Sequence, residues 1–243
     1  MPVLDPQDVH VWSVSLPAQG SVLEACEGLL SPDERARAAR MLLASRREAF
    51  VVARGLLRTL TGRYAGLPPG DVRFTYTALG RPSLAADAPS LQFSVSHSGG
   101  QVLLAFAEQA RVGVDIERVR TSADSDAIAR RFFTAGEQAE LAALAGPDRL
   151  EAFFACWTRK EALLKAVGLG IARGLSHVEV TCRPGDPARL VRSDLDEINP
   201  ARWSLVDLAA APGYRAALAV SMVNPDVSCC GDATDVVLRR ERA

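Results

Sequence analysis

Asp115 and Glu117 lie two residues apart in the segment Val112-Gly113-Val114-Asp115-Ile116-Glu117. On a strand they project from one face while Val114 and Ile116 point into the core. Two carboxylates side by side repel unless a cation lies between them. Hard oxygen ligands of this kind suit magnesium, which takes a few carboxylates and fills its shell with water and phosphate oxygens. Solvated acids at a strand end satisfy the same pattern, so a third group is needed to choose. Glu161 is that group. It falls on the stripe Leu150, Phe154, Trp157 and Leu164, where helical spacing calls for an apolar residue. An unpaired buried charge costs several kcal/mol, so Glu161 needs a partner, and Lys165 one turn further on is the expected one. If the fold brings Glu161 to Asp115 and Glu117, three carboxylates converge and the metal reading is the stronger.

A second group of candidates is suited to anions. Leu91-Gln92-Phe93-Ser94-Val95-Ser96-His97-Ser98-Gly99-Gly100 alternates, placing Ser94 and Ser96 on one face before a polar turn. Hydroxyls, exposed amides and the His97 imidazole could cradle phosphate oxygens. Arg35, Arg37 and Arg40 on one expected helix and Arg47, Arg54 and Arg58 on the next outnumber the acids nearby. A solvated face is the simpler account of them, but they also make this the best region for a phosphate-rich ligand. The chain has 3 histidines, and none is accompanied by a GxSxG nucleophile elbow, which argues against a Ser-His-Asp hydrolase.

The elements that must position these groups follow from caps and periodicity. His10 to Leu16 alternates as a strand. Ser31-Pro32-Asp33-Glu34 opens one helix and Ser45-Arg46-Arg47-Glu48 a second, expected from Arg46 to Tyr64. Strands are expected at Val72 to Thr77, from Leu91 into the serine, histidine and glycine turn that ends at Gly100, at Val102 to Ala107 and at Val112 to Glu117, the last three forming an antiparallel meander. Thr134-Ala135-Gly136-Glu137 is another capping box, with Glu137 structural. The helix carrying Glu161 is expected to start near Asp148 and stop at Gly168. Strands then dominate: Ser176 to Cys182, Arg202 to Asp207 and Tyr214 to Met222. Helices followed by strands thus occur twice, which predicts an α+β fold of two similar halves, 1–112 and 113–224, with a loosely held tail at 225–243.

Composition bounds the remaining possibilities. With 28 Lys and Arg against 29 Asp and Glu, the net charge is −1, so no basic excess points to nucleic acid. No apolar run approaches the length of a membrane span and the N-terminus lacks a signal pattern; a cytoplasmic protein with no membrane partner is expected. The 5 cysteines are odd in number and show no CxxC pair, which favours reduced thiols.

Four motifs, in this order and spacing, carry a resemblance. Gly80-Arg81-Pro82, Phe93-Ser94-Val95-Ser96-His97-Ser98-Gly99, Gly113-Val114-Asp115-Ile116-Glu117 and Trp157-Thr158-Arg159-Lys160-Glu161-Ala162-Leu163-Leu164-Lys165-Ala166-Val167-Gly168-Leu169-Gly170 resemble those of the Sfp-type 4'-phosphopantetheinyl transferases. The resemblance covers roughly residues 10 to 222. It implies a pseudo-dimer of two α+β halves with the active site between them. It also implies transfer of the phosphopantetheine arm of coenzyme A to a serine of an apo acyl or peptidyl carrier protein, in fatty-acid, polyketide or nonribosomal peptide pathways, with release of adenosine 3',5'-bisphosphate. Carried over by position, Asp115, Glu117 and Glu161 would hold magnesium. Arg37 stands near the adenosine 3'-phosphate, Ser96 and His97 meet coenzyme A phosphates, and Lys165 lies beside the reacting phosphate. Arg81 replaces the more usual lysine, and Arg46 stands where many members have an acid.

The resemblance and the residues together imply that Glu161, directly or through a metal-bound water, takes the proton of the attacking serine while Lys165 and magnesium neutralise the pyrophosphate. Two other classes use the same groups: a magnesium-dependent hydrolase of nucleotide pyrophosphates, and a non-catalytic coenzyme A binding module. Since the motifs divide between the two halves, a monomer with one coenzyme A site at their junction is expected. The carrier surface is expected beside the segment from Arg118 to Phe133, read as an irregular connection.

Overall fold

The computed structural model describes residues 4–77, 80, 82–84, 90–121, 124–170 and 174–238. Arg81, one of the expected anion-binding residues, lies outside them. Strand β1 (Asp8–Ser15) leads to α1 (Gly20–Leu29), α2 (Pro32–Ala39) and α3 (Ala44–Ala65). A short ribbon, β2 (Phe74–Tyr76) with β3 (Pro82–Leu84), precedes the hairpin β4 (Leu91–Ser98) and β5 (Gln101–Glu108) and then β6 (Val112–Arg118). Helices α4 (Ser125–Phe132), α5 (Ala135–Ala142) and α6 (Gly146–Val167) follow. The chain continues through β7 (Val178–Val180), β8 (Leu190–Ser193), β9 (Ser204–Leu208), β10 (Tyr214–Val220), β11 (Asp226–Asp232) and α7 (Thr234–Leu238).

The fold is α+β, with two main sheets in the orders β11-β1-β5-β4 and β6-β10-β9. The expected meander is therefore broken. β4 and β5 pair with each other, but β6 leaves them to pair antiparallel with β10. Strand alternation explains the layering. In β5, Val102, Leu104 and Phe106 pack in a core with α1, α3 and α7, whereas Leu103, Ala105 and Ala107 meet Val112, Val114 and Ile116 of β6 in a core between the sheets. Ala217 and Ala219 on the far face of the second sheet share a third core with α6. Helix, sheet, sheet and helix are thus stacked, which places the edges of β4 and β6 together.

α6 is buried on most of its circumference because it lies under the second sheet with α5 and β7 on its other side. Gly113 allows the close approach: a Cβ there would stand 2.0 Å from the Ala162 carbonyl. Gly168 ends the helix at φ 75° in the left-handed region that glycine adopts without strain. Lys160, 0% exposed, donates to Glu137 Oε2 at 2.5 Å. Glu137 also receives the Thr134 and Val180 N–H groups, so it ties α5, α6 and β7 together as a structural residue.

Four further expectations are corrected. The Ser45 to Glu48 capping box does not form: α3 begins at Ala44, and Glu48 Oε1 instead accepts from the Ala18 N–H at 2.8 Å. Arg54 and Arg58 are not solvated. Both are buried beside Glu34, which accepts from Arg58 Nε at 2.6 Å; an acid three residues after the Ser31 cap thus also neutralises α3. Of the tail, the described residues 225–238 are not loose, since β11 adds a parallel strand to β1 and α7 packs on α1 and α3. The Arg118 to Phe133 connection likewise contains α4, a helix whose Ile128, Ala129 and Phe132 face the third core, with α6.

Candidate active site

The seam between the sheets is built from hydroxyls. β6 is an edge strand, so half of its N–H groups need partners from outside its own sheet. Ser94, Ser96 and Ser98, on the face of β4 opposite Phe93 and Val95, supply them: Ser94 Oγ accepts from the Val114 N–H at 3.1 Å, Ser96 Oγ from Ile116 at 3.3 Å and Ser98 Oγ from Arg118 at 3.2 Å. Asp115 and Glu117 emerge between these contacts and face α6.

Asp115 is 3% exposed. Its Oδ1 accepts from Ser96 Oγ at 2.8 Å and from Lys165 Nζ at 2.6 Å, and Lys165 Nζ also donates to Ser96 Oγ at 2.8 Å. Ser96 therefore uses its one proton and both acceptor positions inside this cluster. Lys165 was expected to partner Glu161; its partner is Asp115. Glu161, 7% exposed, has a buried Oε1 with no hydrogen-bond partner, and Asp115 Oδ2 is in the same position.

Burial pushes the Glu161 carboxyl up to about 7, reinforced by the Asp115 and Glu117 charges and opposed by Lys165. Burial also raises Glu117, with Asp115 adding to the shift and the Ser98 hydrogen bond opposing it. Among the described residues no three acid, histidine or cysteine side chains are grouped tightly enough, as they stand, to hold an ion. The chemistry of the donors nevertheless fits a hard divalent cation: two buried carboxylate oxygens from different residues lack partners, and the carboxylates raise one another's affinity for positive charge.

Two clefts flank β4. One of about 310 Å³ is lined by Gly80, Pro82, Ser94, Glu161, Lys165 and Leu169. The other, about 770 Å³, is lined by Arg37, Arg46, Phe50, His97, Ser98 and Gly99. Arg37 lies over the Phe50 ring at 5.2 Å. Burial and the charges of Lys165 and Arg46 lower the His97 pKa, which favours the neutral imidazole. The structure thus brings Asp115, Glu117, Glu161, Lys165 and Ser96 together at the seam and sets Arg37 and His97 in the adjoining cleft. Ser94 lines the smaller cleft but gives its hydroxyl to the β6 backbone. Ser98 was overlooked: it donates to Glu117 Oε2 at 2.6 Å, and the signal for it was the continuation of the every-second-residue serine pattern.

Known proteins and family profiles match most of the chain. A family profile described as "4'-phosphopantetheinyl transferase superfamily" matches residues 111–219, and one described as "4'-phosphopantetheinyl transferase, N-terminal" matches residues 16–109. The 4'-phosphopantetheinyl transferase HetI of Nostoc sp. is 37% identical over 217 residues, 88% of each chain. The 4'-phosphopantetheinyl transferase Sfp of Bacillus subtilis is 29% identical over 197 residues, 81% of this chain and 84% of that one. A solved holo-(acyl-carrier-protein) synthase from Bacillus anthracis, in complex with CoA (3',5'-ADP), is 23% identical and covers 45% of this chain and 92% of its own, with a TM-score of 0.36. By the two profiles and the length of the HetI match, this chain belongs to the 4'-phosphopantetheinyl transferase family.

Proposed function

We propose that this transferase moves the 4'-phosphopantetheine group of coenzyme A to a serine of an apo acyl or peptidyl carrier protein, in the cytoplasm and with magnesium. The observation that carries the reading is the meeting of Asp115 from β6 with Glu161 and Lys165 from α6, with two unpaired carboxylate oxygens beside an open cleft.

Asp115, Glu117 and Glu161 would hold the cation. When bound, magnesium neutralises the pyrophosphate charge that opposes attack by an oxygen nucleophile. The other tasks fall to side chains. Arg37 and Arg46, with His97, line a cleft suited to the nucleotide phosphates; by resemblance Arg81 would also meet the coenzyme A nucleotide. Lys165 is 30% exposed and lines the smaller cleft, so its ammonium can meet a phosphate oxygen without leaving the Asp115 side of the seam. Glu161, directly or through a water held by the cation, would accept the proton of the attacking hydroxyl. The serine oxygen forms a bond to the phosphorus nearest the pantetheine, the bond to the bridging oxygen breaks, and adenosine 3',5'-bisphosphate leaves with the electron pair.

We assign the carrier to the surface beside α4, where Arg118, Arg120, Arg130 and Arg131 are exposed and suit an acidic partner. The decisive experiment is mass spectrometry of several apo-carriers after incubation with coenzyme A, magnesium and this protein. The expected result is a gain of one phosphopantetheine on a serine. Coenzyme A cleavage without a carrier would favour a hydrolase, and tight binding with no turnover a binding module.

A further inference from the structure

The serine seam does more than join two strands. Each hydroxyl of β4 accepts from one N–H of β6, and the residue preceding that N–H is Gly113, Asp115 or Glu117 in turn. Opposite Ser94 the preceding residue is glycine and there is nothing to orient. At the other two positions the same hydroxyl donates to the carboxylate: Ser96 to Asp115 Oδ1 at 2.8 Å and Ser98 to Glu117 Oε2 at 2.6 Å. The latter length is typical of a hydroxyl donating to an ionised carboxylate. A hydroxyl has one proton. With the Arg118 N–H on one acceptor position of Ser98 Oγ, the short contact directs that proton to Glu117 Oε2.

We propose that Ser98 is a positioning residue for Glu117, orienting the second carboxylate of the Asp-x-Glu pair for the cation. The inference rests on the reading that Asp115, Glu117 and Glu161 hold that cation. Ser96 shares the device, but it is also tied to Lys165, so a change there moves two groups at once. Ser98 isolates the effect. Hydrogen-bond partners of metal ligands are worth about 10–100-fold in metal affinity, which sets the scale of the test.

Manganese(II), a hard ion that accepts the same oxygen donors, is titrated into the coenzyme A complex. Free ion is read by electron paramagnetic resonance for the wild type, Ser98→Ala, Ser98→Thr, Ser94→Ala and Glu117→Ala. Ser98→Ala is expected to weaken manganese binding about 10–100-fold, and Ser98→Thr, which keeps the hydroxyl on a strand that tolerates β-branching, to restore most of it. Ser94→Ala removes a seam bond without touching a carboxylate and should weaken the affinity far less than Ser98→Ala. Thermal unfolding of each variant identifies any that fails to fold; should Ser98→Ala fail, Ser98→Val takes its place, since it differs from the isosteric Ser98→Thr in the hydroxyl alone. Equal weakening by Ser94→Ala and Ser98→Ala, or no weakening by Ser98→Ala while Glu117→Ala weakens, would overturn the role of Ser98 and leave the metal site standing. Unchanged affinity in Glu117→Ala would overturn the metal assignment itself.

Discussion

Lys165 Nζ stands 2.6 Å from Asp115 Oδ1 on the facing strand, while Glu161 Oε1, one turn back on the same helix as the lysine, has no hydrogen-bond partner. The ammonium thus donates to one buried acid, and with Ser96 as its other acceptor it keeps one donor near the cleft. Its removal should therefore act on the reacting phosphate more than on the fold. Lys165→Met is expected to lower kcat by about 10²–10³, the usual cost of losing one preorganised donor to developing charge. Coenzyme A affinity should change far less. Steady-state kinetics with a saturating apo-carrier measure both, and a loss confined to KM would assign Lys165 to ground-state binding.

Asp115→Ala and Glu161→Ala should each abolish transfer and retain the native circular dichroism spectrum, since each carboxylate has an oxygen that the protein itself leaves without a partner. Full activity in either variant at limiting magnesium would end the three-carboxylate reading.

Glu161 also ties stability to pH in metal-free protein. Its folded pKa of about 7 lies above the ordinary 4.5, so between those values the folded state binds more protons than the unfolded state. This contribution is fully present below pH 4.5 and is lost as pH rises through about 7. At about 1.4 kcal/mol per pKa unit, the loss is on the order of 3 kcal/mol. Urea unfolding in EDTA at a series of pH values should show this decline, and Glu161→Gln should remove it. Parallel profiles for the two proteins would assign the decline to other groups.

The reading of α6 from spacing succeeded because one feature dominated it: a carboxylate on an apolar stripe, ended by Gly168. Asp115 and Glu117 were legible because a strand has a strict two-residue period. The partner of Lys165 was not, because sequence spacing gives neighbours on one helix and says nothing of a strand packed across it. Arg54 and Arg58 misled for the same reason, since Glu34 neutralises them from another helix. Strand β11 was missed because it is polar and short of aliphatic residues, and its ladder comes from pairing with β1 rather than from its own period.

Arg37 should read the 3'-phosphate of coenzyme A. It lines the larger cleft with Arg46 and His97, where the resemblance also sets it. A charge-assisted bond to phosphate is worth about 1.5–3 kcal/mol, so Arg37→Ala should weaken coenzyme A binding by roughly 10- to 150-fold. Binding of dephospho-coenzyme A, which lacks that phosphate, should change little. Equal losses for the two ligands, measured by calorimetry, would place Arg37 elsewhere.

Stoichiometry follows from how the two sheets are joined. Arg37 and His97 come from the part of the chain that forms the first sheet and its helices, and Asp115, Glu161 and Lys165 from the part that forms the second. The two family profiles abut at the same place, between residues 109 and 111. The parts are held by the apolar layer between the sheets, by the serine seam and by Tyr214, whose hydroxyl accepts from the Gly100 N–H at 2.9 Å. Both walls of the site are thus supplied within one chain, at the kind of junction where ligand pockets are common. We predict a catalytically competent monomer that binds one coenzyme A. Calorimetric titration should give one coenzyme A per chain, and specific activity should stay constant on dilution. One coenzyme A per two chains, or activity that falls away as the protein is diluted, would show that a second copy completes the site.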